Sequence, residues 1–131
     1  MALMTIAKGS SRITETIFEN RMNHVDLLNQ MGSSITLKDN VAHINGVKKL
    51  RGMTLVGLDL RSSAALIIAA LTSKSVSYVY GLEHLDRGYE NFEQKLSKLG
   101  IEIKRQITKP TIRESNYDNL NNKEMSEIKA A

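Results

Sequence analysis

Cysteine and tryptophan are both missing from the chain, and proline occurs once. Without a thiol there is no disulfide framework, no thiolate metal site and no cysteine nucleophile among these residues. Aromatic side chains make up 5% of the sequence, too few for the stacking platforms that hold single-stranded nucleic acid. Long apolar runs are lacking as well: the longest, Ala64 to Leu71, is well short of the roughly 20 residues that cross a bilayer. The opening residues, Met1 to Lys8, have neither the basic start nor the apolar stretch of a secretory signal. Charge of one sign is not in large excess either. There are 18 Lys and Arg against 14 Asp and Glu, a net +4, and basic residues adjoin only at Lys48-Lys49 and Lys104-Arg105. Dedicated nucleic-acid binders cluster their cations, so neither nucleic acid nor a membrane is expected as a partner, and a soluble intracellular protein is.

What is present is the balance of a folded chain, 41% apolar and 24% charged. Its 131 residues suit one ordinary domain. Ala2 to Ala7 and Ala65 to Ala70 match each other, and the match persists downstream. Small or polar residues follow in both places, then the β-rich segments Ile13 to Ile17 and Val76 to Tyr80. The period then changes to that of a helix, through Val25, Leu28 and Met31 to Gly32, and through Tyr89, Phe92, Leu96 and Leu99 to Gly100. Strands are expected next, at Ser34 to Leu37 and at Ile101 to Lys104. Each copy reads helix, strand, helix, strand, so the fold class is α/β (α+β), made of two units over about 1–52 and 53–105. Gene duplication explains this, against a chance likeness of two ordinary α/β segments. Turn signals at Asp39-Asn40 and Asn45-Gly46 predict an antiparallel excursion through Val41 to Ile44. From Gln106 the pattern decays into polar residues around Pro110 and Asn116 to Asn122, so a mobile tail is expected over 106–131. A marginal helix from about Asn122 to Ala130 is the one element expected there.

Three arginines adjoin expected element ends: Arg21, Arg61 and Arg87, with Arg21 and Arg87 equivalent under the duplication. A guanidinium offers a planar fork of donors for phosphate or carboxylate, and a helix N-terminus adds positive potential at the same place. Anion binding is one reading. The other is that each arginine pairs with a nearby carboxylate, such as Glu19, Asp59 or Asp86, on an exposed loop. Asp59 and Asp86 each precede a helical pattern and are expected as caps, Asp86 above all. His24, His43 and His84 are dispersed without metal-ligand spacing. Tyr89 and Phe92 belong to an apolar stripe expected in the core.

The strings Ile13 to Arg21, Asp59 to Ala64 and His84 to Glu90 resemble signature stretches of the UDP-N-acetylglucosamine 1-carboxyvinyltransferases, an enolpyruvyl transferase family, and stand in the family's order. The resemblance runs from Met1 to about Arg105. It implies part of an inside-out α/β barrel, repeated units with helices inside and sheets outside. The implied reaction moves the enolpyruvyl group of phosphoenolpyruvate to the 3-hydroxyl of UDP-N-acetylglucosamine, by addition and then loss of phosphate, without metal or cofactor. That places the protein in peptidoglycan precursor synthesis in the cytoplasm, or in the plastid stroma if organelle-encoded. By the same resemblance Arg87 engages phosphoenolpyruvate, Arg61 lines the same phosphate and carboxylate region, Ile17 contacts the UDP-sugar through its backbone, and Arg21 serves catalysis and domain closure.

The departures from the family are upstream. Its reactive cysteine, its N-terminal lysine and asparagine and its general-base aspartate have no counterpart, because Met1 aligns with an interior family position. The expectation is a C-terminal fragment, inactive alone and completed by a complementary N-terminal chain. The alternative is a non-catalytic binding or interaction module derived from the enzyme. A repeat unit without its neighbours leaves an apolar face open, so self-association is expected.

Overall fold

The computed structural model describes residues 1–108 and 125–130. A 3-10 turn at Ala2–Thr5 leads into β1 (Ser10–Thr14), α1 (Val25–Gln30), β2 (Ser34–Lys38) and β3 (Val41–Asn45). After these come β4 (Thr54–Val56), α2 (Leu60–Ala70), β5 (Ser77–Tyr80), α3 (Leu82–Asp86), α4 (Phe92–Lys98), β6 (Ile103–Thr108) and β7 (Met125–Ala130). One sheet has the order β1-β3-β2 and the other β4-β5-β7-β6. Only β4 and β5 run parallel; the remaining neighbours are antiparallel.

The two sheets share a design. In each, the last strand in sequence lies between the two before it, and serine, apolar residue and isoleucine stand in one cross-strand row. The rows are Ser11, Ile44 and Ile35 in the first sheet and Ser77, Ala130 and Ile103 in the second. The first sheet has one packed face and one wet face, as the alternating burial along β3 shows.

α2 joins the two halves, in contact with the 3-10 turn and α1 of the first and with α3, β5 and β7 of the second. Its sequence accounts for that place. Asp59 caps it, Ser62 completes a capping box, and alanines carry the helix onward. Ser62, Ser63, Ala64, Ala69 and Ala70 are buried and small, which lets neighbours approach closely, while Leu66 and Ile67 fill the core. One contiguous apolar cluster joins both halves through this helix.

Several expectations shift. β1 covers Ser10–Thr14 rather than 13–17, because the Glu15 carboxylate accepts the N–H groups of Ile17 and Phe18 at 2.8 and 3.2 Å and turns the chain out of the sheet. The expected apolar stripe is split: Tyr89 precedes α4 and is exposed, Leu99 is exposed, and only Phe92 and Leu96 reach the core. The larger correction concerns the expected tail. Residues 106–108 complete β6, and Met125–Ala130, expected as helix, is β7, an inner strand of its sheet. Side-chain propensity gave way there to pairing on both edges, since Ile128 and Ala130 are fully buried. The rest of the expected tail, 109–124 and 131, lies outside the described residues.

Candidate functional site

Strands β4 and β5 run side by side, and their exits cross almost in contact. Gly57 donates its N–H to the Tyr80 carbonyl at 2.9 Å, and a Cβ on Gly81, whose φ is +80°, would lie 2.3 Å from the Gly57 carbonyl oxygen. A side chain on Gly81 would have to displace the Gly57 backbone, and one on Gly57 would run into Ser63 of α2. From this crossing one chain runs through Asp59 into α2 and the other into α3. Both arms therefore start from one fixed point at the carboxyl ends of parallel strands, where open α/β sheets place their ligands.

The third wall is the loop after β1. Glu15 holds the Ile17 and Phe18 amides and lies 3.3 Å from Arg21 Nη1, while the Arg21 guanidinium stands 4.0 Å above the Phe18 ring. These bonds to Glu15 hold its carboxyl below the usual range: the Ile17 N–H contributes most and burial opposes it, with Phe18 and Arg21 adding to the lowering. Ile17 and Phe18 are left 75% and 55% exposed. Asn23 crosses to the other wall, its Nδ2 donating to Asp59 Oδ2 at 2.8 Å.

Between the walls is a cleft of about 580 Å³ lined by Ile17, Phe18, Glu19, Asn20, Arg21, Asp59 and Arg61. Three of the four residues singled out in the sequence, Ile17, Arg21 and Arg61, thus share one opening. Arg87 does not line it. It caps α3 at the carboxyl end, next to Gly88, which is pressed on Leu60 so closely that a Cβ would sit 2.9 Å from Leu60 Cδ2. Arg21 and Arg87 do occupy matching places, each in the connection between a strand and the next long helix of its half.

The expected carboxylate partners are otherwise engaged. Asp59 gives its Oδ1 to the backbone N–H groups of Arg61 and Ser62, both at 2.8 Å. Asp86 ends α3 instead of capping a helix, and it binds Arg105 through both oxygens at 3.0 and 2.7 Å. Arg105 also reaches Glu93 at 3.3 Å. The helix that follows starts at Asn91 without a side-chain cap. Arg21 has Glu15 as its partner, not Glu19. The guanidinium groups of Arg61 and Arg87 are exposed and make no hydrogen bond or ion pair with the described residues. Arg105, never singled out in the sequence, is thus what leaves Arg87 unclaimed. Glu15 was missed too, although a carboxylate two and three residues before an Ile-Phe pair is a turn signal.

Asp59 has a second role in the charge balance. Burial acts to raise its carboxyl, but the Ser62 N–H, the Asn23 amide, the Arg61 N–H and the nearby His24 outweigh burial and hold it below the usual range. It stays ionised at neutral pH. Because it consumes the first N–H groups of α2, the donors open to an anion here are the guanidinium groups and not the helix end. His24 is 8% exposed and its protonation is suppressed chiefly by burial, then by the chain's amino terminus, with Asp59 opposing. Such a site suits a ligand with anionic groups spaced to meet two cations and an apolar part to lie on Ile17 and Phe18.

Known proteins resemble this chain in sequence and fold. A family model described as EPSP synthase (3-phosphoshikimate 1-carboxyvinyltransferase) matches residues 1–96. UDP-N-acetylglucosamine 1-carboxyvinyltransferase of Prochlorococcus marinus subsp. pastoris (strain CCMP1986 / NIES-2087 / MED4) is 86% identical over 133 residues, which take in 100% of this chain and 29% of that protein. The protein of the same name from Prochlorococcus marinus strain MIT 9515 is 74% identical over 107 residues, 82% of this chain and 23% of the relative. Among solved structures, the enolpyruvyl transferase NikO from Streptomyces tendae matches 72% of this chain and 22% of its own, at 31% identity and a TM-score of 0.65. EPSP synthase from Acinetobacter baumannii matches 99% of this chain and 27% of its own with the same TM-score of 0.65 at 16% identity, a likeness of fold. The chain spans less than a third of the length of these relatives.

Proposed function

The chain belongs to the enolpyruvyl transferase family, and from that premise we propose that it forms part of an enzyme that moves the enolpyruvyl group of phosphoenolpyruvate to the 3-hydroxyl of UDP-N-acetylglucosamine. The observation that carries this is the shared opening of Ile17, Arg21 and Arg61, in a chain 86% identical along its length to a protein of that name. The proposal includes peptidoglycan precursor synthesis in the cytoplasm. It also takes the two halves as copies of one duplicated unit, the second including β7.

In the reaction the sugar 3-oxygen bonds to the central carbon of phosphoenolpyruvate while the methylene carbon takes up a proton. The bond from the central carbon to the phosphate oxygen then breaks, the methyl group gives a proton back, and the double bond returns. The hydroxyl proton leaves with inorganic phosphate. Charge is concentrated on the phosphate and carboxylate throughout. In this scheme Arg87 binds phosphoenolpyruvate, Arg61 holds the same anionic groups as the phosphate departs, and the Ile17 backbone faces the UDP-sugar. Arg21, held by Glu15 and Phe18, moves with its loop when the site closes. Water exclusion and alignment by closure are major parts of such catalysis. The proton-moving groups belong to the part of the family enzyme outside the span of this chain, so the chain alone turns over nothing.

The test is phosphate release from phosphoenolpyruvate and UDP-N-acetylglucosamine, measured with this chain alone, with the remaining portion of the relative alone, and with the two mixed. Release in the mixture only supports a completed transferase. Association without release favours a non-catalytic binding module instead. Release by this chain alone overturns the assignment of proton transfer to a second portion.

A further inference from the structure

Arg87 has acidic surroundings for a cation that is to receive an anion. From Leu82 to Glu93 the chain carries four carboxylates, Glu83, Asp86, Glu90 and Glu93, against the one guanidinium of Arg87. Arg87 also sits at the carboxyl end of α3, where free carbonyl groups lend negative potential. Carboxylates within a Debye length, about 10 Å at ordinary ionic strength, oppose an anion bound there.

Arg105 engages two of the four. Its Nη1 and Nη2 donate to the two oxygens of Asp86, the residue just before Arg87, at 3.0 and 2.7 Å. Nη2 also lies 3.3 Å from Glu93 on α4. One cation from β6 thus gathers the carboxylates before and after the connection that carries Arg87. That connection has other ties to fix its shape. The Gly88 and Tyr89 N–H groups both return to the Leu85 carbonyl, at 3.1 and 3.0 Å. Gly88 is pressed on Leu60, and Tyr89 meets Phe92 with ring centroids 5.2 Å apart. Nor is the cluster shaped for stability. Arg105 Nε and Glu93 Oε2 are buried without a hydrogen-bond partner among the described residues, and a buried ion pair stabilises only when such atoms are satisfied. What remains is its charge. Adjacent positions of a helix do not face each other, so Asp86 acts on a ligand of Arg87 through space, and Arg105 offsets it.

We propose that Arg105 is a positioning residue for the anion site at Arg87: it draws Asp86 and Glu93 onto itself and keeps their charge off the phosphorylated group that Arg87 receives. Naming that group as phosphoenolpyruvate rests on the transferase reading. Arg105 touches no substrate; it acts on affinity for the anion and leaves the chemical step and the UDP-sugar alone.

The experiment uses the full chain with inorganic phosphate as probe, followed by NMR at the Arg87 Nε–H resonance at fixed ionic strength. Arg105→Ala is expected to weaken phosphate binding by about three- to tenfold at low salt, a difference that shrinks at about 0.5 M salt. Adding Asp86→Asn to Arg105→Ala is expected to restore affinity to within about twofold. Arg105→Lys keeps the charge without the planar fork and is expected to stay within about twofold of the native chain. Should Arg105→Ala fail to fold, Arg105→Lys decides, together with Asp86→Asn alone, which is expected to bind phosphate no more weakly than the native chain. Lys104→Ala removes the neighbouring cation of β6 and is expected to change affinity by less than about twofold. Native affinity in Arg105→Ala overturns the proposal, as does a loss that Asp86→Asn leaves uncorrected, an equal loss in Lys104→Ala, or an Arg87 resonance that phosphate does not move. In the completed enzyme Arg105→Ala is expected to raise KM for phosphoenolpyruvate by the same factor with kcat unchanged. An Arg105 effect on phosphate binding without phosphate release by the mixture keeps this proposal and defeats the transferase reading; release with an unaltered KM does the reverse.

Discussion

At the scale of single residues, the free guanidinium groups and the capping carboxylate make separate predictions. The side chains of Arg61 and Arg87 make no bond with the described residues, so replacing either costs little stability. Losing one charge-assisted hydrogen bond to an anion costs about 1.5–3 kcal/mol, or roughly ten- to a hundredfold in kcat/KM. Arg61→Ala and Arg87→Ala in the completed enzyme are expected to show that loss in steady-state phosphate release. Lysine at either position is expected to restore less than half of it in free energy, because the planar fork is lost. Asp59→Ala works on the fold instead, removing both cap bonds of α2 and the tie to Asn23. A cost of about 1 kcal/mol is expected in urea denaturation. The folded Asp59 carboxyl lies below its ordinary value, so this contribution is complete above about pH 4 and is lost as pH falls through the lower folded value. The gap between the native chain and Asp59→Ala is therefore expected to narrow on going from about pH 7 to about pH 3.

At the scale of elements, α2 is the member that ties the two halves together. Leu66 is fully buried within it, and Leu66→Ala is expected to cost about 2–5 kcal/mol. Because α2 touches the 3-10 turn as well as β5 and β7, the loss is expected to raise amide exchange in both halves together rather than in one. The helices α1 and α2 were legible from apolar spacing and from Asp59 as a cap. β1 was placed late because β-branched residues at 13, 14, 16 and 17 outweighed the turn that the Glu15 side chain imposes. β7 was illegible because Glu127, Lys129 and Ala130 favour a helix when read alone. Its strand form comes from β5 and β6 on either side, a tertiary effect that no local window contains. The candidate site residues came by a different route: Arg21, Arg61 and Arg87 from their places at expected element ends, and Ile17 from a matching string, whereas the roles of Glu15, Asn23 and Arg105, which hold or free them, appear only in side-chain contacts far from local spacing.

At the scale of the whole molecule, the inner position of β7 links the end of the sequence to its middle. Ending the chain after Thr108 removes the strand between β5 and β6 and exposes the surface that Ile128 and Ala130 cover. The shortened chain is expected to lose its cooperative thermal transition by circular dichroism and to elute as aggregate in size-exclusion chromatography; a sharp transition and a monomer peak would show that β7 is dispensable. The crossing of Gly57 and Gly81 acts over the same range. Arg61 and Arg87 extend from arms that begin at two backbones in contact, so the crossing works as a gauge for the span between the two cations. Side chains around the proposed anion site can drift over generations and retune affinity, while the span between these two guanidinium groups stays tied to the contact between two peptide groups.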